Sequence, residues 1–579
     1  MSRVPVVTTR SKSRLIVVVL LVAAGLLAGV PPVHRASAQG PPWNVIVIMT
    51  DDLDTGTLQT AAHPPTCGIP CIYGFSFMPN YVTFFEQQGI VFTNSFVTYS
   101  LCCPSRATFF TGKYAHNHHV ENNQGHGGGH NGGCLAFDDG ETVGKWLKAA
   151  LPAYHTGMIG KYLNGYGTNP GSSKCQDRYV PPNSWDDWEA LAGNFSLQLD
   201  YKISVNGVCC YQGNGGWPDY QTKRLMERAV NFIHLADGVN QKFFLYLAPS
   251  APHLESQTDP PRECASEPLP WGAVPTIRDQ PAFEGWASGL TLPHPASYNE
   301  DLSDKPPWMP ALVQQNVGDD CTQLLWRDRL EAMKSVDVMI GAVVNELQTK
   351  GLLNDTVLVF TSDNGFYNGE HKLHDKILGY EEGLRVPLAI HFPGSPVAGT
   401  SLPNFVLNTD LAPTILELAG LCAPYATCHN VDGRSLVPLL TNQSYTTRKR
   451  FLVEHWQPRF GVGETDDLID GPADQYPDFI GIRTSPDDAP SRDDPANVVY
   501  MKYDTDLDGT YDQYEYYDNL DQYLLQNEYQ TTNDCWPDGP VSCPLPASDP
   551  LDEFLTALSA CPGVYTCQAL ENSDHYPPP

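Results

Sequence analysis

The chain has 579 residues, 41% of them hydrophobic, with 66 acidic against 35 basic residues and a formal net charge of −31 at pH 7. The length allows about two to four domains, or one large domain with a smaller companion, and the apolar share is ample for a packed core. The charge excludes a nucleic-acid partner, because phosphate binding needs a basic face, and any anionic substrate must be drawn in by a local positive pocket.

Residues 1–38 are predicted to be a signal peptide. Arg3, Arg10, Lys12 and Arg14 precede an apolar run from Leu15 to Val30, and Ala36-Ser37-Ala38 offers a cleavage site before Gln39. The run is short for a membrane span, so the mature chain is expected to be secreted and to carry no membrane span. Without residues 1–38, 30 basic residues face 66 acidic ones, a charge of −36. Sixteen cysteines in an exported chain suggest disulfides, with Cys422/Cys428, Cys535/Cys543 and Cys561/Cys567 as candidate small loops.

In chain order, Asn44 to Met49 is a continuous apolar run and reads as a strand buried on both faces of a parallel sheet. Thr50-Asp51-Asp52 follows at its C-terminal end, where open α/β sheets place their ligands. Adjacent carboxylates repel each other unless a cation compensates; the plainer alternative is a solvated turn with a helix cap. Next comes Ser100-Leu101-Cys102-Cys103-Pro104-Ser105-Arg106. Pro104 suits the first turn of a short helix and Gly112 its C-cap. Cys102 would then sit at the helix N-terminus, where free N–H groups favour negative charge, and Arg106 would add a fork of donors for an oxyanion. Taken alone, the Cys pair could equally be structural.

His116, His118, His119, His126 and His130 lie in or before a Gly-rich run, which raises a zinc reading against that of a mobile loop. Lys161 follows Gly160, and by itself reads as a surface lysine. Lys242 to Leu247 is another apolar strand, and Pro249 and Pro252 fix the loop that ends in His253. Residues 255–320 read as an irregular insertion. Leu330 to Leu347 carries apolar residues at spacings of three and four, a core-facing helix ended by Gly351. Thr356 to Thr361 is a third buried strand, with Ser362-Asp363-Asn364-Gly365 at its end. Four side chains from two such strand ends would offer several oxygen ligands to a hard cation. Leu388 to Phe392 is one more strand. Beyond residue 445 the pattern turns to short antiparallel strands at Phe451–Glu454, Ile480–Arg483, Val498–Tyr503 and Tyr511–Tyr517. Asp504 to Glu515 fits the EF-hand expression, but it has no clear flanking helices, and Asp508-Gly509 between strands suits a hairpin turn.

Cys102-Cys103-Pro104-Ser105-Arg106 resembles the C-x-P-S-R signature of the type I, formylglycine-dependent sulfatases. Five further elements resemble that family in order: Asp51-Asp52, Gly160-Lys161-Tyr162, Ala251-Pro252-His253, Ser362-Asp363-Asn364-Gly365, and Lys376 ahead of Tyr380-Glu381-Glu382-Gly383-Leu384-Arg385-Val386-Pro387. Gly112 to Val120 is similar to the N-acetylglucosamine-6-sulfatase/arylsulfatase branch. Arylsulfatases place a His two residues after the Lys of the Gly-Lys element; this chain has Leu163 there. The resemblance implies an alkaline-phosphatase-like α/β fold. Its large mixed sheet would be flanked by helices over residues 43–445, with a smaller antiparallel-sheet subdomain and a Cys/Pro-rich tail over 446–579.

The resemblance further implies hydrolysis of a sulfate monoester, of a sulfated sugar such as N-acetylglucosamine-6-sulfate or of an aryl sulfate. Cys102 would be oxidised to formylglycine (3-oxoalanine) by a formylglycine-generating enzyme during maturation. Asp51, Asp52, Asp363, Asn364 and residue 102 would hold Ca2+. Arg106, Lys161, His253 and Lys376 would be catalytic, and His371 would face the substrate. Conversion of Cys102 would leave an odd number of cysteines, hence a free thiol such as Cys103. Two alternatives stay open: a phosphomonoester or phosphonate hydrolase of the same superfamily, and a non-catalytic binding protein with unmodified Cys102. Asn194, Asn354 and Asn442 head three sequons that matter only in a glycosylating host.

Overall fold

A computed structural model describes residues 42–64, 76–123, 132–168, 184–193, 196–213, 219–239, 241–255, 285–303, 305–312, 319–422, 429–442, 445, 447–456, 476–485, 497–518 and 550–573. The expected signal peptide, His126, His130, Cys428, the Cys535/Cys543 pair and Asn194 lie outside those residues. No helix among the described residues is long and apolar enough to cross a membrane.

The described residues include sixteen strands: β1 (Asn44–Thr50), β2 (Ile90–Phe96), β3 (His155–Gly160), β4 (Asp187–Leu191), β5 (Lys202–Val205), β6 (Val208–Gln212), β7 (Phe243–Ala248), β8 (Thr356–Ser362), β9 (Tyr367–Asn368), β10 (His374–Asp375), β11 (Leu388–His391), β12 (Thr400–Leu407), β13 (Arg450–His455), β14 (Asp478–Thr484), β15 (Val498–Asp504) and β16 (Gln513–Asp518). Ten form one mixed sheet in the order β12-β2-β11-β8-β1-β7-β3-β4-β5-β6. Its centre is parallel: β1 pairs with β7 on one side and β8 on the other. Every residue of β1, β7 and β8 is buried, which is why these strands read as unbroken apolar runs. Side chains alternate between two layers. Val45, Val47 and Met49 pack with Phe109 of the helix Cys102–Thr111, Trp146 and Ile415. Ile46 and Ile48 pack instead with Ile233 and with Leu330, Val336 and Ile340 of the long helix Asp319–Thr349.

That long helix begins well before the first residue of the apolar stripe, Leu330, and Gly351 follows its end at φ +69°. The signature helix also matches its expectation, with Cys102 as first residue and Gly112 as a left-handed cap at φ +66° whose N–H reaches the Thr108 carbonyl. The second sheet runs β13-β14-β15-β16, antiparallel throughout. It shares an apolar layer with the first: Phe451 lies 5.1 Å from the ring of Phe96 and 5.7 Å from that of Phe405.

The tail contains two helices that the sequence reading left out, Pro550–Ser559 and Val564–Asn572, and Cys561–Cys567 is a disulfide. The last helix docks through Glu571, which is fully buried. Its carboxylate accepts from Tyr114 Oη, Arg434 Nη1 and, at 3.3 Å, Arg448 Nε. Arg448 in turn grips Asp410 with two hydrogen bonds of 2.6 Å. Cutting Glu571 out leaves two buried guanidinium groups short of charge, a loss of about 3–5 kcal/mol for a pair of this kind. Glu571→Ala should therefore lower the unfolding free energy by that order in urea melts. A drop below about 1 kcal/mol would mean that the tail is not held by charge.

His116 ties the same tail to the second sheet. Its ring bonds Glu454 Oε1 at 2.5 Å and the Cys561 carbonyl at 2.9 Å. Burial disfavours the imidazolium, but Glu454, with Asp432 beyond it, more than offsets this and raises His116 to about 9 from an ordinary 6.5. A raised folded-state value means that protonation stabilises the fold. The contribution is complete below about pH 6.5 and fades as the pH climbs through about 9. His116→Asn should flatten the stability–pH curve across that window; an unchanged slope would remove the pairing from the account.

Candidate active site

The register of two strands assembles the acidic half of the site. β1 and β8 run parallel from Asn44↔Thr356 to Thr50↔Ser362, so Asp51-Asp52 and Asp363-Asn364 leave the sheet side by side. The Asp363 N–H donates to the Thr50 carbonyl (3.2 Å), and the Asp52 N–H to Asp363 Oδ1 (3.1 Å). Across the next two strands the pattern continues. His253 lies in the loop after β7, and Lys161 follows β3 directly, its N–H donating to the Ala248 carbonyl at 2.8 Å. Four neighbouring strand ends thus supply six of the expected residues. Cys102 and Arg106 come from the signature helix, and Lys376 from the β9–β10 ribbon.

The groups are interlocked. Lys161 Nζ lies 2.7 Å from Asp51 Oδ2. Lys376 Nζ donates to Asp52 Oδ1 (2.7 Å) and to Cys102 Sγ (3.2 Å). Asn364 Nδ2 donates to Asp52 Oδ1 at 2.7 Å, and Arg106 Nε to Asp363 Oδ2 at 2.8 Å. Cys102 Sγ is 3.6 Å from Asp51 Oδ1, and His253 Nε2 is 3.5 Å from Asp52 Oδ2. All nine residues are buried, with His253 the most open at 4%.

Burial sets the electrostatics. It pushes the Cys102 thiol well above its ordinary value, and Lys161 and Lys376 only partly oppose it. The thiol is therefore a neutral group and a poor nucleophile as it stands. Burial also raises Asp51, but Lys161, His253, Arg106 and Lys376 together overwhelm it and hold the carboxyl well below the usual range. Asp363 goes the other way: burial, only partly opposed by Arg106 and aided by Asp51, pushes it up to about 6. Two buried oxygens, Asp52 Oδ2 and Asn364 Oδ1, accept no hydrogen bond, and Arg106 Nη2 donates none. Orphaned acceptors among crowded carboxylates fit a hard, oxygen-loving dication such as calcium, and an orphaned guanidinium edge fits an oxyanion.

Three supporting side chains have roles that only the fold reveals. Tyr246 sits inside an apolar strand, yet its hydroxyl accepts from Arg106 Nη1 at 2.9 Å. Ser105 of the signature donates to the Asp363 carbonyl and so fastens the helix to the end of β8. Cys103 is a buried thiol that donates to Asn164 Oδ1 (3.4 Å) and accepts from the Asn164 N–H (2.9 Å), tying the helix to the Lys161 loop. Leu163, where arylsulfatases carry histidine, is packed in the core.

His371, expected to face substrate, is fully buried with one ring nitrogen 2.5 Å from Glu300 and the other 3.3 Å from Glu382. A substrate contact there would have to displace a carboxylate. Among the described residues of the histidine-rich stretch, His118 bonds Thr108 Oγ1, and the sulfurs nearest His116 belong to the Cys561–Cys567 disulfide, so these two do not form a metal cluster. Asp504, Asp506 and Asp508 cluster at the β15–β16 turn, but Glu515, the twelfth EF-hand position, points into the core and bonds Tyr380 and Tyr503. The hairpin reading therefore describes that loop.

The sulfatase family profile matches residues 43–421. The human N-acetylglucosamine-6-sulfatase is 31% identical over 417 residues, covering 71% of this chain and 67% of that protein. An arylsulfatase of Volvox carteri is 32% identical over 418 residues, 69% of this chain and 59% of its own length. Against an extracellular sulfatase homologue of Drosophila melanogaster, 30% identical, the match covers 72% of this chain but only 32% of the relative. Among solved structures, a complex with the substrate D-glucosamine-2-N,6-O-disulfate aligns with a TM-score of 0.60 at 22% identity, covering 85% and 93% of the two chains. A phosphonate monoester hydrolase of Agrobacterium radiobacter aligns at 0.55 with 17% identity, covering 82% and 89%. These two likenesses concern the fold. With the family profile over most of the chain and relatives at 30% identity or more, the chain belongs to the sulfatase family of sulfuric ester hydrolases.

Proposed function

We propose that the protein is a secreted sulfatase that cleaves a sulfate monoester of a sugar, with N-acetylglucosamine-6-sulfate or a related 6-sulfated glucosamine as the leading candidate and aryl sulfates as surrogates. The observation that carries the reading is the convergence of Asp51, Asp52, Asp363 and Asn364 with Arg106, Lys161 and Lys376 around Cys102. The relatives named for N-acetylglucosamine-6-sulfatase activity support the sugar. Asp51, Asp52, Asp363, Asn364 and an oxygen on residue 102 would hold calcium, which supplies positive charge that eases loss of a proton from that oxygen. Residue 102, as the formylglycine that a formylglycine-generating enzyme would make from Cys102, would supply a hydroxyl nucleophile and a second hydroxyl suited to expelling sulfate.

The side chains do the rest. Arg106 and Lys161 present fixed positive charge to the sulfuryl oxygens, the preorganised kind of stabilisation that contributes most to such reactions. Lys376 Nζ, 3.2 Å from the residue-102 side chain, both binds that head and holds a proton beside the reacting atom. His253 donates Nδ1–H to the Leu254 carbonyl at 2.7 Å, which turns Nε2 towards the cluster and fits it to protonate the departing alcohol. A thiol at position 102 would form a thiosulfate ester with no neighbouring hydroxyl to collapse it.

Mass spectrometry of the Cys102 peptide from the native host should find the aldehyde in place of the thiol. Only thiol or disulfide there would sink the reading. Lys376→Ala and Arg106→Ala should each lower kcat/KM on an aryl sulfate by about 10²–10³-fold, while the matching phosphate monoester stays the poorer substrate of the native enzyme. Faster phosphate cleavage would favour the phosphoester alternative. Chelation should abolish turnover, and calcium should restore it. Activity that survives exhaustive chelation would remove the metal from the account.

A further inference from the structure

Arg329, on the helix Asp319–Thr349, is fully buried beneath the turn that aims Asp52. Asp52 adopts a left-handed conformation at φ +63°, uncommon for a residue with a side chain. Arg329 Nη2 donates to the Asp52 carbonyl and, at 3.0 Å, to Asp54 Oδ2, while Nη1 donates to Asn368 Oδ1 at 2.6 Å. The ring of Phe366 lies 3.9 Å under the guanidinium and fixes its plane. Asp54 caps the next helix through Thr57, and Asn368 belongs to β9, which with β10 leads directly to Lys376.

These contacts close a circuit. It runs from the Asp52 carbonyl through Arg329 to Asn368, along the β9–β10 ribbon to Lys376, and back to Asp52 Oδ1. An arginine present only to neutralise Asp54 would need one edge of its fork. Here Nη2 also reaches the backbone of a candidate cation ligand and Nη1 reaches the ribbon that carries Lys376, while Nε makes no hydrogen bond among the described residues. We propose that Arg329 is a positioning residue: it locks the Asp52 turn and the Lys376 ribbon in one geometry, and so sets both the cation affinity of the site and the placement of Lys376. The proposal rests on the sulfatase reading of the same site. Lysine cannot replace the arginine, because a single ammonium cannot bridge three anchors held by a planar fork.

The test uses the full chain, freed of divalent ions and titrated with calcium chloride by calorimetry, beside kcat and KM on an aryl sulfate. Arg329→Lys and Arg329→Gln should each raise the calcium dissociation constant about tenfold or more. At saturating calcium they should lower kcat while leaving KM near that of the native enzyme. Arg450→Lys is the comparison for stability alone. Arg450 is equally buried, but it bonds the Leu570 and Ser573 carbonyls of the tail and stacks on Phe554. It should lower the melting point with calcium affinity unchanged. If the Arg329 variants fail to fold, Asn368→Ala removes one anchor, keeps the guanidinium, and should still weaken calcium by about threefold or more. Calcium affinity and kcat within about twofold of the native values in a folded variant would overturn the positioning role. A native protein that neither binds calcium nor cleaves sulfate esters would overturn both readings, whereas a competent native protein with unmoved variants would overturn this one alone.

Discussion

Everything at the site depends on one register. Because β1 and β8 pair in parallel with their last residues level, two acidic dipeptides leave the sheet next to each other. A slip of one residue would send each side chain to the opposite face and scatter the carboxylates. The register is secured far from the chemistry, by seven fully buried residues on each strand and by two apolar layers that accept only one alternation. The arrangement of the candidate site is thus a consequence of core packing, and the cationic side chains are added to it from a helix and two loops. Arg106 shows how tightly the two halves are joined: it pairs with Asp363 from β8 and accepts support from Tyr246 in β7.

The parts legible in the sequence were those with local or periodic signatures. The apolar runs of β1, β7 and β8 announce strands buried on both faces. The polar residues at the ends of β1 and β8 point to a ligand site, because two strand ends rich in oxygen-bearing side chains are more specific than either one alone, for which a solvated turn would also do. Pro104 and Gly112 bracket the signature helix correctly. What stayed hidden was long-range. The tail helix Pro550–Ser559 does carry a helical stripe, Leu551, Phe554, Leu555 and Leu558, but it is short and set in a Pro- and Cys-rich stretch that reads as irregular, and the role of Glu571 emerges only when Tyr114, Arg434 and Arg448 converge on it from elsewhere in the chain. Tyr246 is indistinguishable from a core aromatic until its hydroxyl is seen against Arg106. His371 shows another long-range contact that the sequence hides. A histidine next to a catalytic segment invites a substrate role, yet Glu300, far away in sequence, takes one of its nitrogens. Glu515 does the same for the EF-hand expression, since a motif fixes residue types and the core decides where they point.

The low exposure of the site bears on how an acidic protein handles an acidic substrate. With a formal charge of −31 the protein as a whole repels anions. Within the site, three carboxylates already face three permanent cations at or near contact distance. Those pairs leave no net charge with which to attract a sulfate group. A bound dication changes that balance. It would relieve the repulsion that pushes Asp363 up to about 6, and it would turn a neutral cluster into a positive one at the position where an ester's sulfuryl oxygens arrive. Burial then works in favour of recognition, since charge in a dry pocket is screened far less than charge on the surface. On this reading the carboxylates do not compete with the substrate for Arg106 and Lys161. They would hold a cation whose excess charge lets those two side chains turn part of their hydrogen-bonding capacity outward; Arg106 Nη2, 3.6 Å from Asp51 Oδ1 and making no hydrogen bond among the described residues, is where that capacity lies.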